Sequence, residues 1–407
     1  MTVETAPAIP AHVPADRVID FDIMNDPALR YDVFKRIKEI RDGAPTVCYT
    51  PRNGGHWMVF GREEIQRVLS EAPTFSSKAL GGRRDADGEP IQTGPVFIPL
   101  SLDPPEHAPW RHLLLKYFGP AQVRGLEPFV RDWAERLIGK LDGRTSCDFL
   151  KDVAEPMPIS VFMEQMGLPL ERFDEFRALV MAALTPPAEG EDPTASMANH
   201  MRIMGVLADL IEARKLNPMD DLVSKLLADN IQGRPIAHEE MMSLCFLLFL
   251  AGLDTVTNAM AYGMRHLAAD AELQEQLRND RSKIPDAVEK FLRLYTFVNT
   301  SRLVTKDVEL GGVKIRAGEF VWCMLWGGSN DPHSETEGGR HMAFGGGNHL
   351  CLGMHLARLE LRIMYETWFD HIGAFSLAPD NKPAMRGGSV MNITRLLLNM
   401  EPRKIAA

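Results

Sequence analysis

Apolar residues recur with a helical period along most of the chain. The spacing predicts long helices from Asp103 to about Ala228 and from His238 to Tyr295, with a break at Thr185–Pro193. A final helix is predicted from about Met354 to His371. The longest apolar run, Cys245–Leu253, is about half a membrane span and predicts a buried core helix.

Strand-like alternation is confined to short segments. Thr46–Gly61 has β-branched and aromatic residues on both sides of "NGG", which predicts a β-hairpin. Val304–Leu325 alternates around "GG", and the tail from Ser376 predicts short strands and turns. Lys78–Pro99 is dense in glycine, proline and charge and predicts a long loop. The fold class expected is mainly α with small β-sheets, because the strand–helix alternation of a parallel sheet is missing.

Length and composition narrow the class of protein. The 407 residues, 45% hydrophobic, suffice for one large core, and we expect a single domain. Within it an extended arm (about 1–27) and a β-rich part (about 28–100) precede a helical core (about 101–407). The net charge of −10 argues against a nucleic-acid-binding surface. Five scattered cysteines do not suit a disulfide framework, and the N-terminus has no secretory signal pattern, so a cytoplasmic protein is expected.

The loop Phe344–Gly353, "FGGGNHLCLG", combines glycines with a thiol. Taken alone, Cys351 is most simply a buried small hydrophobe. A zinc site with His349 and His355 lacks a nearby fourth ligand, and a nucleophile with His349 as base leaves the glycines unexplained. A thiolate ligand of haem iron explains both features, since a flat macrocycle that approaches the backbone tolerates no bulky Cβ atoms.

This loop resembles the haem-binding signature of the cytochrome P450 family, Phe-x-x-Gly-x-(His/Arg)-x-Cys-x-Gly. Every fixed position matches, at Phe344, Gly347, His349, Cys351 and Gly353. The resemblance implies that Cys351 is the axial ligand of haem b, that Phe344 covers the proximal side and that His349 reaches a haem carboxylate.

A second motif lies in "LLFLAGLDTVTNAM" (Leu247–Met260), an apolar stretch interrupted by Gly252, Asp254 and Thr255. Thr255 could simply bond back to a carbonyl of the preceding turn, but an aspartate in an apolar helix is unfavourable unless it is paired or used. The stretch is similar to the (Ala/Gly)-Gly-x-(Asp/Glu)-Thr motif of the same family. That similarity implies that Ala251 and Gly252 leave room for O2 in a locally loosened helix. Thr255 would then hydrogen-bond the oxygen while Asp254 relays protons from solvent.

The resemblance extends along nearly the whole chain and is strongest to the bacterial camphor-hydroxylase group. The stretches that carry it include "IPAHVPADRVIDFDIMND", "NGGHW", "FIPLSLDPPEHAPWRHLL" and "GRPI". It implies the triangular, mostly helical cytochrome P450 fold. It also implies that Arg111 and Arg302 bind the haem propionates with help from His349. For each arginine, an exposed surface charge is the alternative.

The resemblance further implies a substrate pocket formed by the long loop, the distal helix and two strands. Its expected residues are Pro95, Val96, Phe97, Thr185, Leu247, Leu250, Val298, Thr300, Val390 and Met391. Ordinary core packing is the alternative for the apolar ones. Where camphor-type enzymes carry a tyrosine donor, this chain has about Pro95, so we expect an apolar pocket that selects by shape. The expected substrate is a small hydrophobic terpenoid, a norisoprenoid such as an ionone, or an aromatic hydrocarbon, and not camphor with high affinity.

The expected partners also follow from the resemblance. Without a recognisable flavin or nicotinamide domain, the electrons would come from a small acidic 2Fe-2S ferredoxin with its NAD(P)H-dependent reductase. The ferredoxin would dock near the cysteine loop, where Arg111, His112 and Lys116 could supply positive charge, unless these side chains are simply solvated. The other expected partners are the substrate and O2. We expect the protein to be a monomer that binds neither nucleic acid nor membrane.

Two departures from the family lie behind the cysteine loop. Lys290 stands where the family's Glu-x-x-Arg has its glutamate, with Arg293 as the arginine, so we predict that Glu289 pairs with Arg293 one helical turn away. The approach from Asn330 to the loop is short and lacks the family's Pro-x-x-Phe-Asp-x-x-Arg segment. These departures keep open a haem-binding protein of the same fold with weak or altered activity. A zinc-binding structural protein is the alternative from a different class.

Overall fold

The computed structural model describes residues 9–78, 83–84, 90–91, 96–184, 193–332, 341–381 and 384–402. In these ranges helices predominate and the strands are short, as the hydrophobic pattern predicted. The break predicted between helices at Thr185–Pro193 falls almost entirely outside the described residues, between a helix that ends at Leu184 and one that begins at Pro193.

The α-helices of the described ranges follow one another along the whole chain. They are α1 (Val33–Asp42), α2 (Arg62–Ser70), α3 (His107–Phe118), α4 (Pro120–Gly125), α5 (Glu127–Gly139), α6 (Pro156–Met166), α7 (Phe173–Leu184), α8 (Pro193–Leu216), α9 (Leu222–Ala228), α10 (His238–Ala268), α11 (Ala271–Asn279), α12 (Ile284–Leu294), α13 (Leu325–Ser329) and α14 (Met354–His371). The last of these has the bounds that the sequence predicted.

The strands are two to six residues long. They are β1 (Val47–Thr50), β2 (His56–Val59), β3 (Phe75–Ser76), β4 (Arg83–Arg84), β5 (Pro90–Ile91), β6 (Ser146–Asp148), β7 (Asn230–Ile231), β8 (Arg234–Pro235), β9 (Thr300–Val304), β10 (Val308–Leu310), β11 (Val313–Ile315), β12 (Phe320–Cys323), β13 (Ile372–Leu377), β14 (Met385–Arg386), β15 (Asn392–Ile393) and β16 (Leu397–Pro402).

The largest sheet has the order β1-β2-β12-β9-β3. The predicted hairpin is confirmed, because β1 and β2 pair antiparallel with Val47 opposite Val59, and both Asn53 and Gly54 of the turn have positive φ. Strand β12 joins β2 in parallel, while β9 pairs antiparallel with β12 and with β3. The sheet therefore brings residues 300–323 beside the N-terminal region.

Local signals fix several helix ends. The Asp32 side chain accepts hydrogen bonds from the backbone N–H groups of Phe34 and Lys35 and so caps the start of α1. At the end of α6, Gly167 adopts a left-handed conformation with φ 75°, where a Cβ would lie 2.2 Å from the Asp221 carboxylate. Glycine is therefore required there for both backbone and packing reasons.

Helix α10 is the central element of the helical core. It is 31 residues long and contacts α6, α8, α12 and α14. By length and hydropathy alone it could cross a membrane, but half of its most apolar window is buried inside the protein. It is therefore packed as a core helix, as its sequence predicted. One of its faces is much less buried, and that face belongs to the candidate site.

Candidate active site

The cysteine loop is held in shape by glycines and by main-chain contacts. The backbone N–H of Cys351 donates to the carbonyl of Phe344 at 2.9 Å, which closes the loop just before α14 begins. Gly347 has φ 61°, and a Cβ there would lie 2.0 Å from the carbonyl oxygen of Leu69. Glycine is therefore required at 347 by the close approach of the chain after α2.

Cys351 differs from the other cysteines of the chain. Cys48, Cys147, Cys245 and Cys323 are buried, and burial raises the pKa of each thiol to about 12. Cys351 is solvent-accessible, although burial by surrounding protein still raises the pKa of its thiol. These two properties agree if the sulfur opens onto an accessible space inside the protein.

Three groups around the Cys351 sulfur favour the thiolate. The backbone N–H of Gly353 donates to the sulfur, and the positive charges of Arg111 and Arg358 also lower the pKa of the thiol, against the larger effect of burial. A Cβ placed on Gly353 would meet no protein atom within 4 Å. Packing within the protein therefore does not explain the glycine, which leaves room beside the sulfur.

A cluster of nitrogen-bearing side chains lies next to this loop. The His349 ring lies 4.4 Å from the His107 ring, centroid to centroid, and its Nε2 is 3.0 Å from the hydroxyl of Ser77. Burial lowers the pKa of His349 to about 3, helped by the positive charges of Arg302, His107 and Arg111. His349 is therefore neutral while both arginines face the same region.

Arg302 is almost completely buried, with 3% of its surface exposed. Its guanidinium donates to the hydroxyl of Thr300 at 2.9 Å and to the carbonyl of Ser301 at 2.8 Å, and burial lowers its pKa. Within the described ranges, neither Arg302 nor Arg111 forms an ion pair with a carboxylate. The negative charge of Asp103 acts on Arg302 without forming an ion pair, and a further counter-charge would stabilise this buried positive cluster, so the region suits an anionic ligand.

One face of α10 opens toward accessible space in the middle of the helix. Ala251 and Gly252 are exposed, whereas Phe249 and Leu253 beside them are almost fully buried. A Cβ on Gly252 would meet no atom within 4 Å outside its own helix. The expectation of a locally loosened helix is wrong, since α10 is one continuous α-helix from His238 to Ala268. The space there arises from small side chains.

Thr255 and Asp254 lie on this half-buried part of α10. The Thr255 hydroxyl donates to the carbonyl of Ala251 at 2.7 Å, which is the back-bonding named above as the simple alternative. Its oxygen can still accept a hydrogen bond. Asp254 accepts from the amide of Asn258 at 3.0 Å and from that of Asn392 at 3.3 Å, and burial raises the pKa of its carboxyl group.

The residues expected to contact substrate come from separate segments that meet near α10. The hydroxyl of Ser243 in α10 donates to the carbonyl of Val96 at 2.6 Å, and the Phe97 ring packs on Phe246. A β-bridge joins Val298 to Val390. The half-buried members of the set are Phe97, Leu247, Leu250, Val298, Thr300 and Val390, and Val96 is exposed.

Met391 and Thr185 differ from the other members of that expected set. Met391 is completely buried in the hydrophobic core, where its carbonyl accepts a hydrogen bond from Tyr262 at 2.9 Å. Its expected place in the pocket is therefore corrected to ordinary core packing. Thr185, like Pro95, lies outside the described residues.

The predicted Glu289–Arg293 ion pair is wrong. The carboxylate of Glu289 instead takes Nε and Nη2 of Arg358 in α14, at 2.6 and 2.9 Å, and Nε2 of His341 at 3.1 Å. Arg293 and Lys290 are both exposed. The helical spacing was correct, but α12 turns Glu289 toward α14 and Arg293 toward solvent. Because Arg293 is exposed, it is not a buried charge that requires an ion-pair partner.

Of the three expected docking residues, His112 and Lys116 are exposed on α3, and Lys116 pairs with Asp229 at 3.1 Å. Arg111 is half-buried, and its positive charge lowers the pKa of the Cys351 thiol. The zinc alternative gains no support, since no group of three metal-ligating side chains comes together in the part of the chain that the structure describes.

Several contributing residues were not found from the sequence. They are Ser77, His107, Asn258, His341, Arg358 and Asn392. His107 carried a usable signal, because it precedes Arg111 by one helical turn and so shares its face of α3. The sequence around Asn392 carried no such signal, since only the tertiary fold brings β15 to α10.

Together these features fit a flat, anionic macrocycle held through sulfur. Cys351 supplies an accessible thiol next to three groups that favour the thiolate, and Gly353 leaves room beside it. Arg111, Arg302 and neutral His349 supply the positive charge and hydrogen-bonding groups that two carboxylates require. The open face of α10 at Ala251–Gly252 supplies space for a small reactant.

Comparisons with known proteins agree with that fit. A family model described as Cytochrome P450 matches residues 195–395. The probable cytochrome P450 127A1 of Sinorhizobium fredii is 32% identical over 415 aligned positions, which cover 97% of this chain and 97% of that protein. The crystal structure of cytochrome P450 CYP101C1 covers 97% of this chain and 100% of its own, with a TM-score of 0.87 and 33% identity. That of CYP101J2 has a TM-score of 0.85 and 31% identity, and covers 97% of this chain and 99% of its own.

Proposed function

The chain belongs to the cytochrome P450 family of haem b monooxygenases and has the fold of that family, and on this premise we propose that it hydroxylates a small hydrophobic molecule. The proposed substrate is a terpenoid, a norisoprenoid or an aromatic hydrocarbon. The observation that carries the proposal is the open, largely apolar face of α10 around Ala251 and Gly252, on the helix where the Phe97 ring packs on Phe246.

The residues that would hold haem b are Cys351 as thiolate ligand and Arg111, Arg302 and His349 at the propionates, with Phe344 and Gly347 shaping the loop. Haem, when bound, supplies the activation of O2 by which one oxygen atom enters the substrate and the other leaves as water. Burial raises the pKa of the Cys351 thiol, and the Gly353 N–H and the Arg111 charge lower it and so favour the thiolate that would bind the iron.

Thr255 and Asp254 would handle the protons that the reaction consumes. The Thr255 hydroxyl, anchored on the Ala251 carbonyl, presents its oxygen to the open side of α10. Burial raises the pKa of the Asp254 carboxyl group, so it takes up a proton more readily than an exposed aspartate and would release it again toward Thr255. Asp254 would therefore pass protons from solvent toward Thr255.

The proposed pocket selects by shape. Its described members are apolar except for Thr300, whose hydroxyl oxygen accepts a hydrogen bond from Arg302. A substrate rich in polar groups would leave them without partners there, at a cost of about 1–3 kcal/mol for each. Compact hydrocarbons with few polar atoms fit this environment.

A titration of the purified haem protein tests the substrate class. Ionones, monoterpenes, polycyclic aromatics, camphor, fatty acids and macrolides are added in turn while the shift of the haem spectrum is recorded. Ionones, terpenoids other than camphor, or aromatics should produce the shift, camphor should bind only weakly, and fatty acids and macrolides should not produce it. A shift produced only by fatty acids or macrolides would contradict the proposal.

A variant pair locates the pocket. Leu250→Phe narrows the proposed pocket on α10 and should weaken binding of the ligand that shifts the spectrum by about tenfold, or 1.4 kcal/mol. Leu216→Phe adds the same group at a position 89% exposed at the end of α8 and should leave binding unchanged. Equal effects of both variants would remove Leu250 from the pocket.

The proposed electron donor is a 2Fe-2S ferredoxin served by an NAD(P)H-dependent reductase, and the enzyme is proposed to act as a cytoplasmic monomer. The exposed His112 and Lys116 on α3 lie on the helix that carries Arg111, so docking there would place the donor close to the cysteine loop. Opposite charges speed such encounters, and salt weakens the effect.

Charge reversal tests this docking face. Lys116→Glu should slow reduction by a 2Fe-2S ferredoxin about tenfold at low salt, with a smaller effect at high salt. Lys38→Glu is the matched control, because Lys38 is also an exposed lysine in an ion pair, on the distant helix α1. Equal reduction rates for both variants and the unchanged protein would exclude the α3 face.

A further inference from the structure

Among the residues that the structure describes, two amides and no cation hold the carboxylate of Asp254. Asn258 donates from Nδ2 to Oδ1 of Asp254 at 3.0 Å and to its main-chain carbonyl at 2.8 Å. Asn392 donates from Nδ2 to Oδ2 of Asp254 at 3.3 Å. The second bond is long for an N–H···O contact, so a small movement of Asn392 makes or breaks it.

The segment that carries Asn392 is fastened to the strand proposed to face substrate. The N–H of Asn299 donates to the carbonyl of Ser389 at 2.7 Å, and the N–H of Met391 donates to the carbonyl of Phe297 at 2.8 Å. Between these bonds Val298 and Val390 form a β-bridge. Residues 297–299 and 389–391 are therefore joined on both sides of the two valines.

The same segment is fastened to α10. The Tyr262 hydroxyl donates to the carbonyl of Met391 at 2.9 Å, and the N–H of Ile393 donates to Oδ1 of Asn258 at 3.0 Å. Asn258 thus connects Ile393 to Asp254 through its two amide atoms. Asp254 is linked to the segment twice, directly by Asn392 and indirectly by Asn258.

The Asn392 amide can serve both protonation states of Asp254. Its Nδ2 donates to the ionised carboxylate, while its Oδ1 is buried without a partner among the described residues. Rotation of the amide by half a turn would present Oδ1 as an acceptor for the proton of the neutral acid. An apolar side chain would fill the same space without leaving a buried acceptor, so packing alone does not explain an asparagine here.

The amides of Asn392 and Asn258 are the neighbouring groups that lower the pKa of Asp254. Burial raises the pKa of Asp254 and the bonds from Asn392 and Asn258 lower it, in that order, with no cation contributing. The pKa of the nearby Tyr262 is raised by burial and by the negative charges of Asp32 and Asp254, against the effect of Arg265. The protonation of Asp254 therefore responds to the position of Asn392.

We propose that Asn392 is a positioning residue for Asp254 that couples substrate contact at Val298 and Val390 to proton delivery. This inference rests on the proposed function, in which those valines face substrate and Asp254 relays protons. Substrate that presses on the paired segments shifts Asn392 against Asp254, so proton delivery changes when the pocket is filled. Asn392 touches neither substrate nor reacting atoms.

Four variants of the haem-loaded protein test the proposal, with β-ionone as the probe. Asn392→Leu keeps the size and removes the donor and the acceptor. Asn399→Leu makes the same change at an exposed position of β16 and is the control. Asp254→Asn identifies the infrared band of the Asp254 carboxyl group by its loss. Asn392→Ser shortens the donor and repeats the measurement if the leucine variant contains little haem.

The first readout is that infrared band, with and without β-ionone. In the unchanged protein and in Asn399→Leu, we expect the probe to shift the band. In Asn392→Leu the band should already be displaced without the probe and should not respond to it. The second readout is the share of reducing equivalents released as hydrogen peroxide, which should rise several-fold in Asn392→Leu while binding of the probe is unchanged.

The outcomes separate this inference from the function on which it rests. If Asp254→Asn raises the peroxide share but Asn392→Leu and Asn392→Ser behave like the control in both readouts, the positioning role is overturned and the proposed function stands. If Asp254→Asn itself leaves the peroxide share unchanged, the proton role of Asp254 is wrong, and the inference falls with it.

Discussion

Glu289 of α12 forms a two-point ion pair with Arg358 of α14, at 2.6 and 2.9 Å. Arg358 also stacks over the ring of Phe344, with its guanidinium carbon 4.5 Å from the centroid, and His341 donates to Glu289 from the other side. The pair therefore ties both ends of the cysteine loop to α12. It supplies the proximal support that Lys290, in place of the family's glutamate, cannot supply.

Removal of that carboxylate should weaken the cysteine loop. Glu289→Gln leaves Arg358 and His341 without their anion, and we expect the free energy of unfolding to fall by about 1–2 kcal/mol, since all three groups are only partly buried. Arg293→Ala, at the exposed position expected to be the partner of Glu289, should change it by less than about 0.5 kcal/mol. Urea unfolding of both variants decides between the two partners, and an effect of Arg293→Ala as large as that of Glu289→Gln would contradict the observed pairing.

The same pair has a defined pH dependence. The bonds from Arg358 and His341 lower the pKa of Glu289 to about 2 from its ordinary 4.5, against the effect of burial. Since the folded pKa is the lower one, the stabilisation is fully present above about pH 4.5 and is lost as the pH falls toward 2. Between these values the difference in stability between the protein and Glu289→Gln should shrink.

Two glycines of the cysteine loop should respond differently to alanine. Gly347→Ala would place a Cβ 2.0 Å from Leu69 at a positive φ, so the apoprotein itself should be destabilised by several kcal/mol, about 3 or more. Gly353→Ala meets no protein atom within 4 Å, so the apoprotein should be as stable as before but should take up less haem. Thermal unfolding of the apoproteins and haem titration separate the two effects. Full haem uptake by Gly353→Ala would show that this glycine does not make room for the cofactor.

A buried acid in α14 predicts a second pH effect. Glu360 is 2% exposed, and burial raises the pKa of its carboxyl group to about 8 from its ordinary 4.5. Because the unfolded chain ionises first, this group lowers stability as the pH rises from 4.5 to 8. Glu360→Gln removes the loss, so the variant should gain about 2–4 kcal/mol relative to the unchanged protein between about pH 5 and pH 8. A constant difference across that range would show that Glu360 is not held neutral.

Thr257, two residues further along α10, provides a control for the role of the Thr255 hydroxyl. Thr255→Val removes a hydroxyl that faces the open side of the helix and should raise the share of electrons lost as hydrogen peroxide by about tenfold, in the range typical for a group that assists proton transfer. Thr257→Val removes one that is bonded to the carbonyls of Ala154 and Leu253, and should leave that share unchanged. Peroxide yield per NADH consumed distinguishes the two, and equal yields would exclude a special role for Thr255.

Much of the fold could be predicted because its signals are local. Helix α14 has the bounds predicted from its periodicity, and the "NGG" turn identified the hairpin of β1 and β2. The cysteine loop and the Asp254–Thr255 pair were also found from the sequence, because each motif packs its chemistry into about ten residues or fewer. Such segments are specified by the spacing of their own residues.

What could not be predicted depends on how distant elements face one another. The partner of Glu289 is set by the rotation of α12 against α14, and helical spacing alone cannot distinguish Arg293 from Arg358. Likewise, Asn392 reaches Asp254 only because 138 residues of chain return β15 to α10. Met391 was assigned to the pocket next to Val390, but neighbouring residues in an extended segment face opposite sides.

The spectrum of the reduced, carbon monoxide-treated protein shows directly whether Cys351 is the thiolate ligand of the haem iron. We expect the long-wavelength band of thiolate-ligated haem, its retention in Cys48→Ser, and its replacement in Cys351→Ser by the shorter-wavelength band of haem without a thiolate. Retention of the thiolate band in Cys351→Ser would mean that another residue ligates the iron.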